Sequence, residues 1–343
     1  TGMPESAVDV LPPVAAPQAP ARRRHSPGAL ALRFAPILLP WLMLAGLLVI
    51  YGSLQEGVWS LEELNIQSAA TLTLLLVATG QTIVILTGGI DLSVGGIISL
   101  STALAATQFG QGGSGMFGWI LAVLALGAFA GAANGILISV LRLQPFIVTL
   151  ATWSIWSGVA LWVLPIEGGQ IPESFFTWVD KTKFGIGSPA WLLFGLILFW
   201  LWFKRTRLGV WIRAVGSSES SAYLSGVPTG LVTTAAYALS GLFAALAGLF
   251  LTTQTAAGSP TVGNEFILSS VAAVVIGGTS LFGGRGGLGG TIAGAFILTL
   301  IGSVIFALNI ESFWTPIVTG LLLIFAVLAN SLAEIYVRRR GVR

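Results

Sequence analysis

The chain has 343 residues, 55% of them hydrophobic and 8% charged, with sixteen Lys and Arg against thirteen Asp and Glu. Soluble domains carry about 25% charged residues, so the composition excludes that class and gives an all-α polytopic membrane protein. Cysteine is absent and histidine occurs once, at His25, which excludes disulfides, thiolate metal sites and Cys/His catalysis.

Residues 1–29 hold six prolines and the run Arg22, Arg23, Arg24 without apolar periodicity, and read as a disordered cytoplasmic tail. A membrane domain then spans 30–330, and a basic tail, 331–343, follows. The first span is 30–51, with Pro36 and Pro40 in its early turns, where a missing amide is best tolerated or a kink results. Further apolar stretches fall at 66–87, 92–109, 117–140, 146–164, 190–203, 231–252, 266–281, 288–308 and 313–330. That makes about ten transmembrane helices, several short of the ~20 residues a perpendicular span needs, so tilted or broken helices are expected.

Lys and Arg test the count, because they collect in alternate loops on the cytoplasmic side. With the N-terminus inside, fourteen of the sixteen fall in inner segments and only Lys181 and Lys183 in outer loops. Both termini are therefore expected in the cytoplasm. The outer loops carry acids, among them Glu56, Glu167, Glu173 and Glu265.

The stretch 86–106, LTGGIDLSVGGIISLSTALAA, sets an acid between two glycine pairs inside an apolar sequence. A charged side chain at the bilayer centre costs at least ~2.5 to 3.5 kcal/mol, so Asp91 needs a compensating environment. Gly88, Gly89, Gly95 and Gly96 allow the backbone to turn or break, which places Asp91 and Ser93 at the start of the next helix. Two readings stand: a helix cap, which explains Asp, Ser and Gly together, or a substrate or ion ligand. Gly277 and Gly278 open a similar stretch in the second half, an echo consistent with an internal repeat with broken helices. Small-residue ladders at Gly127, Gly131, Gly135 and at Gly286, Gly290, Gly294 give flat faces for close helix packing, with Asn134 beside the first.

Gly284, Gly286 and Gly289 match a dinucleotide fingerprint, but they join two apolar runs rather than a strand and a helix, and the match is false. None of the three lysines sits in a phosphate-binding loop, so any ATPase must be another polypeptide. The loop 204–230 carries a short bounded helix: Ser217 or Ser218 caps it, Glu219 suits its first turn, and Gly226 with Pro228 stops it. Two turns are not stable alone, so this helix needs a packing partner; the other inner loops are too short, which points to a cytoplasmic protein.

The sequences TGQTIVILTGGIDLSVGGIISLS, LRLQPFIVTLATWSIWSGVAL, AVGSSESSAYLSGV and AAVVIGGTSLFGGRGGLGGTIAGA, in this order over 66–330, closely resemble permease subunits of bacterial ABC importers for ribose, xylose, galactose and related monosaccharides. The resemblance implies a multi-pass protein of the bacterial cytoplasmic (inner) membrane, without enzymatic activity of its own, that moves a small polar solute inward by alternating access. Its implied partners are ATP-binding cassette subunits, which hold ATP and Mg while this chain holds no cofactor, a second permease, and an extracytoplasmic sugar-binding protein; no nucleic acid is expected. The segment with Ser218, Glu219, Ala222, Tyr223, Leu224 and Gly226 resembles the part that contacts the ATPase. Gly88, Gly89, Asp91, Ser93, Gly277 and Gly278 form the signature and hinge motif. Candidate pathway residues are Gln81, Asn134, Trp153 and Trp156, because sugars need hydrogen bonds at their edges and aromatic surfaces for their C–H faces. The rival expectation is an ion-coupled secondary transporter or channel using Asp91.

Overall fold

The computed structural model describes residues 27–110, 114–179, 181–311 and 313–339; Arg22 to Arg24, His25 and the last four residues lie outside the described residues. The described chain is helical: α1 Pro27–Leu54, α2 Leu61–Leu86, α3 Val94–Gln108, α4 Ser114–Val140, α5 Pro145–Val163, α6 Glu173–Phe176, α7 Ser188–Phe203, α8 Arg207–Ser217, α9 Glu219–Leu224, α10 Thr229–Thr255, α11 Asn264–Ile276, α12 Leu288–Ala307 and α13 Trp314–Arg339. A two-stranded ribbon, β1 Thr182–Lys183 and β2 Ile186–Gly187, precedes α7. Five helices are long and apolar enough to cross a membrane: Leu61–Leu86, Gly115–Val140, Pro145–Val163, Thr229–Thr255 and Leu288–Ala307. Each remaining apolar stretch of the sequence coincides with a shorter apolar helix or helix portion.

Two helices occupy the centre. The inner two thirds of α2, from Thr71 to Leu86, is almost wholly buried, and α10 packs along both α2 and α4. A buried helix with six polar side chains must satisfy them locally. Two of them do so by hydroxyls that donate back one turn, Thr79 to Leu75 O at 2.7 Å and Thr82 to Ala78 O at 2.6 Å, with Thr82 also 2.9 Å from Thr291 of α12. The ladder on α4 provides the α4–α10 approach: a methyl at Gly131 would strike the Tyr237 carbonyl, and one at Gly127 the Gly241 carbonyl. The second ladder is only partly helical. Gly290 and Gly294 of α12 meet Gly277 and Ala273 of α11, but Gly286 lies in the preceding turn with φ +117°.

Several boundaries differ from the sequence expectation for identifiable reasons. Helix α1 begins at Pro27, so Pro36 and Pro40 lie in its interior rather than its first turns. Helix α11 stops at Ile276 instead of running to Leu281, because Gly278 takes φ +78° and closes a capping turn, with Gly278 N donating to Val275 O and Thr279 N to Val274 O. The same turn ends α2: Gly88 has φ +87°, Gly88 N donates to Ile85 O and Gly89 N to Val84 O. Gly88 therefore corresponds to Gly278, one position on from the sequence pairing. Gly95 and Gly96 do not break the chain; they lie within α3 and let it wedge between Ile267 of α11 and the Trp153–Ser157 turn of α5.

Candidate functional site

Among the described residues the backbone leaves helical geometry between packed helices at 87–93 (α2 to α3), at 256–263 (α10 to α11) and at 277–287 (α11 to α12). Non-helical backbone inside a membrane protein is tolerated only where other groups satisfy its amides and carbonyls. At the first break four helices supply those groups. With its amide oriented to match its neighbours, Gln81 of α2 brackets the Asp91 peptide, its Nε2 donating to Asp91 O at 3.1 Å and its Oε1 accepting from Asp91 N at 3.2 Å. Tyr237 of α10 and Thr149 of α5 each direct a hydroxyl to Ile90 O at 3.4 Å. Asp91 Oδ1 accepts from Ser93 N at 3.0 Å and from Ser93 Oγ at 2.6 Å, and Asn134 Nδ2 of α4 donates to Ser93 Oγ at 2.8 Å. Asp91, Ser93, Gln81 and Asn134 are all fully buried.

Asp91 closes an Asx turn that leads into α3, whose N-cap position is held by Ser93 without a side-chain cap bond. Of the pathway candidates, Gln81 and Asn134 lie at this break and are buried. Trp153 and Trp156 are both on the lightly buried α5. Trp153 Nε1 donates to Asn264 Oδ1 at 3.0 Å, at the first residue of α11, while Trp156 closes a small apolar recess with Ile97, Leu100, Leu126 and Ala130. Replacing Asp91 with Ala is expected to lower stability by about 1–3 kcal/mol, because the Ser93 amide is left buried without its acceptor. Asp91→Asn keeps that acceptor and is expected to melt within ~1 kcal/mol of the parent; thermal melting in detergent checks both.

The second break uses α3 as the first uses α10. Thr102 Oγ1 donates to Ser259 O at 2.8 Å, Ser99 Oγ accepts from Gly263 N at 3.0 Å, and Gly258 pairs with Gly168 across an antiparallel bridge.

At the end of the molecule carrying Gly88, the two glycine loops touch. Gly284 N donates to Leu86 O at 3.0 Å, joining the α11–α12 loop to the end of α2. Gly216, near the end of α8, lies directly on that bond, so close that a methyl there would collide with both of its atoms. Helix α8 is amphipathic: Ile212 and Val215 are buried, Arg207 and Val210 are exposed, and Thr206 caps it by accepting from Gly209 N at 3.2 Å. Helix α9 follows at once, with Ser218 as its N-cap and Gly226 at φ +81° closing its end. Ala222 and Val227 anchor it in the core, while Tyr223 and Leu224 are 69% and 85% exposed. The chain itself thus supplies the packing partner for the buried side of α9, and an ion pair joins Glu219 to Arg142 in the turn between α4 and α5. Gly216, Gly283, Gly284, Tyr237 and Arg142 were not singled out as site residues by sequence reasoning. The spacing of Leu208, Trp211, Ile212 and Val215 after Thr206 is the signal that marks α8.

Over residues 66–327 the chain matches the family described as the branched-chain amino acid transport system / permease component. It is 35% identical over 265 residues to the ribose import permease protein of Escherichia coli strain K12, covering 75% of this chain and 81% of that one. The ribose import permease protein of Bacillus subtilis strain 168 is 37% identical over 259 residues, covering 74% and 80%. The fructose import permease protein of Rhizobium meliloti is 34% identical over 319 residues, covering 86% and 85%. No solved structure matches. An ion-coupled carrier built on Asp91 is not favoured by these relatives. With its apolar helices, its two supported breaks and this match over most of its length, the chain belongs to the branched-chain amino acid transport system permease family, as a multi-pass permease of the inner membrane.

Proposed function

We propose that this chain is the membrane permease of an ATP-driven importer for a monosaccharide or closely related small polar solute. The observation that carries the reading is the exposed tip of α9, Tyr223 and Leu224, on a short helix joined through α8 and Gly216 to both glycine loops. A surface-seeking apolar tip tied to the interior suits a part pushed by a partner. In this reading a cytoplasmic ATPase, which holds ATP and Mg, docks on α9; the chain holds no cofactor of its own.

Ten spans with both termini in the cytoplasm accommodate the charge pattern, because Lys204, Arg205, Arg207, Arg213 and Arg285 cluster at the α9 end. The units α2–break–α3 and α10–break–α11 form an inverted pair, each break held by a helix of the other unit. Such pairs alternate between two packings around a central passage. A second permease, the same chain or a homologue, completes that passage along the exposed side of α5. Trp153 and Asn264 are the chain's proposed contributions to sugar contact, and Gln81 with Asn134 is assigned to holding the break. A binding protein delivers sugar on the opposite face, where Glu167 and Glu173 lie. The relatives' names support the substrate class.

Mild-detergent purification from the native membrane followed by mass spectrometry tests the reading. A stoichiometric ATPase subunit is the expected result. Recovery of the chain alone, with sugar uptake that follows an ion gradient after reconstitution, would overturn it.

A further inference from the structure

Among the described residues there is one ion pair, and it joins the two halves of the chain: Arg142 Nη1 lies 2.9 Å from Glu219 Oε1. Arg142 sits in the turn 141–144 between α4 and α5, and its backbone is left-handed, with φ +54°. A non-glycine residue holds that conformation only when its surroundings enforce it. Two residues later Gln144 caps α5, and Pro145 fixes the first turn of that helix rigidly. On the other side of the pair, Glu219 is the first residue of α9. The main helix contacts of α9 are with α8 and α10, so the pair is a separate tie, running from α9 to the start of α5.

We propose that Arg142 is a positioning residue for coupling: through Glu219 it carries a displacement of α9 to the N-terminal end of α5, the helix that presents Trp153. This rests on the importer reading above. The two side chains are 72% and 51% exposed, and a pair so solvated contributes little to stability. It can therefore break and re-form in each transport cycle without loosening the fold. Its geometry matters more than its strength, because the strained turn at Arg142 passes movement straight into a helix with a rigid start. Helix α5 is also one of the least buried of the membrane-length helices, with α3 as its main neighbour.

The test uses four versions of the full complex in lipid vesicles: parent, Arg142→Glu, Glu219→Arg and the double charge swap. ATP hydrolysis and sugar uptake are measured together. Each single reversal places like charges in contact and is expected to lower uptake per ATP hydrolysed by about fivefold or more, with ATPase binding retained in Arg142→Glu, which leaves α9 unaltered; the swap restores the ratio to within about twofold of the parent. A residue that served folding alone would lower complex yield without changing the ratio. Unchanged ratios in both single variants would overturn the proposal, and so would a swap no better than the single reversals. Failure of the importer reading is distinguishable, since the parent itself would then carry no ATPase, and the proposal would fall with it.

Discussion

Leu224→Asp is expected to release the ATPase from this permease while leaving the permease folded. Leu224 is 85% exposed and Tyr223 69%, whereas Ala222 and Val227, on the inner side of the same segment, are 6% and 9% exposed. The inner pair holds the segment to the core, so a charge at the tip disturbs nothing within the chain. An apolar tip kept in water has no stabilising role by itself; burying a leucine on a partner is worth about 1.5–3 kcal/mol. Losing that contact corresponds to roughly a 10- to 150-fold weaker complex. Burying the new carboxylate would add to the loss. Co-elution of the ATPase on size exclusion measures the binding, and thermal melting of the isolated permease measures the fold. Ala222→Asp provides the contrast: it places the same charge in the core, and the permease itself is expected to melt early. Retention of the ATPase by Leu224→Asp at parent affinity would remove α9 as the docking element.

The helices were legible because hydrophobic length is a strong and local signal. Each of the ten apolar stretches coincides with a helix, and the short helix after Ser218 has the cap and the stop its residues announce. Ends were less legible where an apolar run continues past a turn, as at Leu281, because glycine backbone angles rather than hydropathy stop α11. Gly88 and Gly278, which the two glycine pairs set against each other, close the same capping turn, a device any helix can use.

The surroundings of Asp91 were not legible at all. Tyr237 lies 147 positions from Ile90, and Asn134 lies 41 from Ser93, so no local pattern announces the contacts. Sequence alone could say that Asp91 required compensation; packing shows which groups reach it, the amide and hydroxyl of Ser93 at Oδ1. Gly216 was hidden differently. It reads as an ordinary helix-end glycine, and its importance comes from two loops that meet there from 130 residues upstream and 68 downstream.

Gly216→Val should therefore separate hydrolysis from transport. The new side chain would occupy the space of the Gly284 to Leu86 hydrogen bond, so α8 must withdraw from the loops or the loops must part. Overpacking of this kind costs about 1–3 kcal/mol, enough to shift an equilibrium between two gate positions by about 5- to 150-fold. The ATPase still finds Tyr223 and Leu224 exposed on α9 and stays bound. Hydrolysis should continue within about threefold of the parent while uptake falls at least tenfold, as measured in vesicles with both rates followed together. Gly289→Ala is the matched control, because Gly289 lies in the first turn of α12 with open space at its Cβ position. A helical glycine replaced by alanine without strain gains about 0.4–1 kcal/mol, so this variant should melt no earlier and transport normally. If Gly216→Val transported like the Gly289→Ala control, the meeting of α8 with the two loops would be packing alone, and movement of α9 would have to reach the interior by another route.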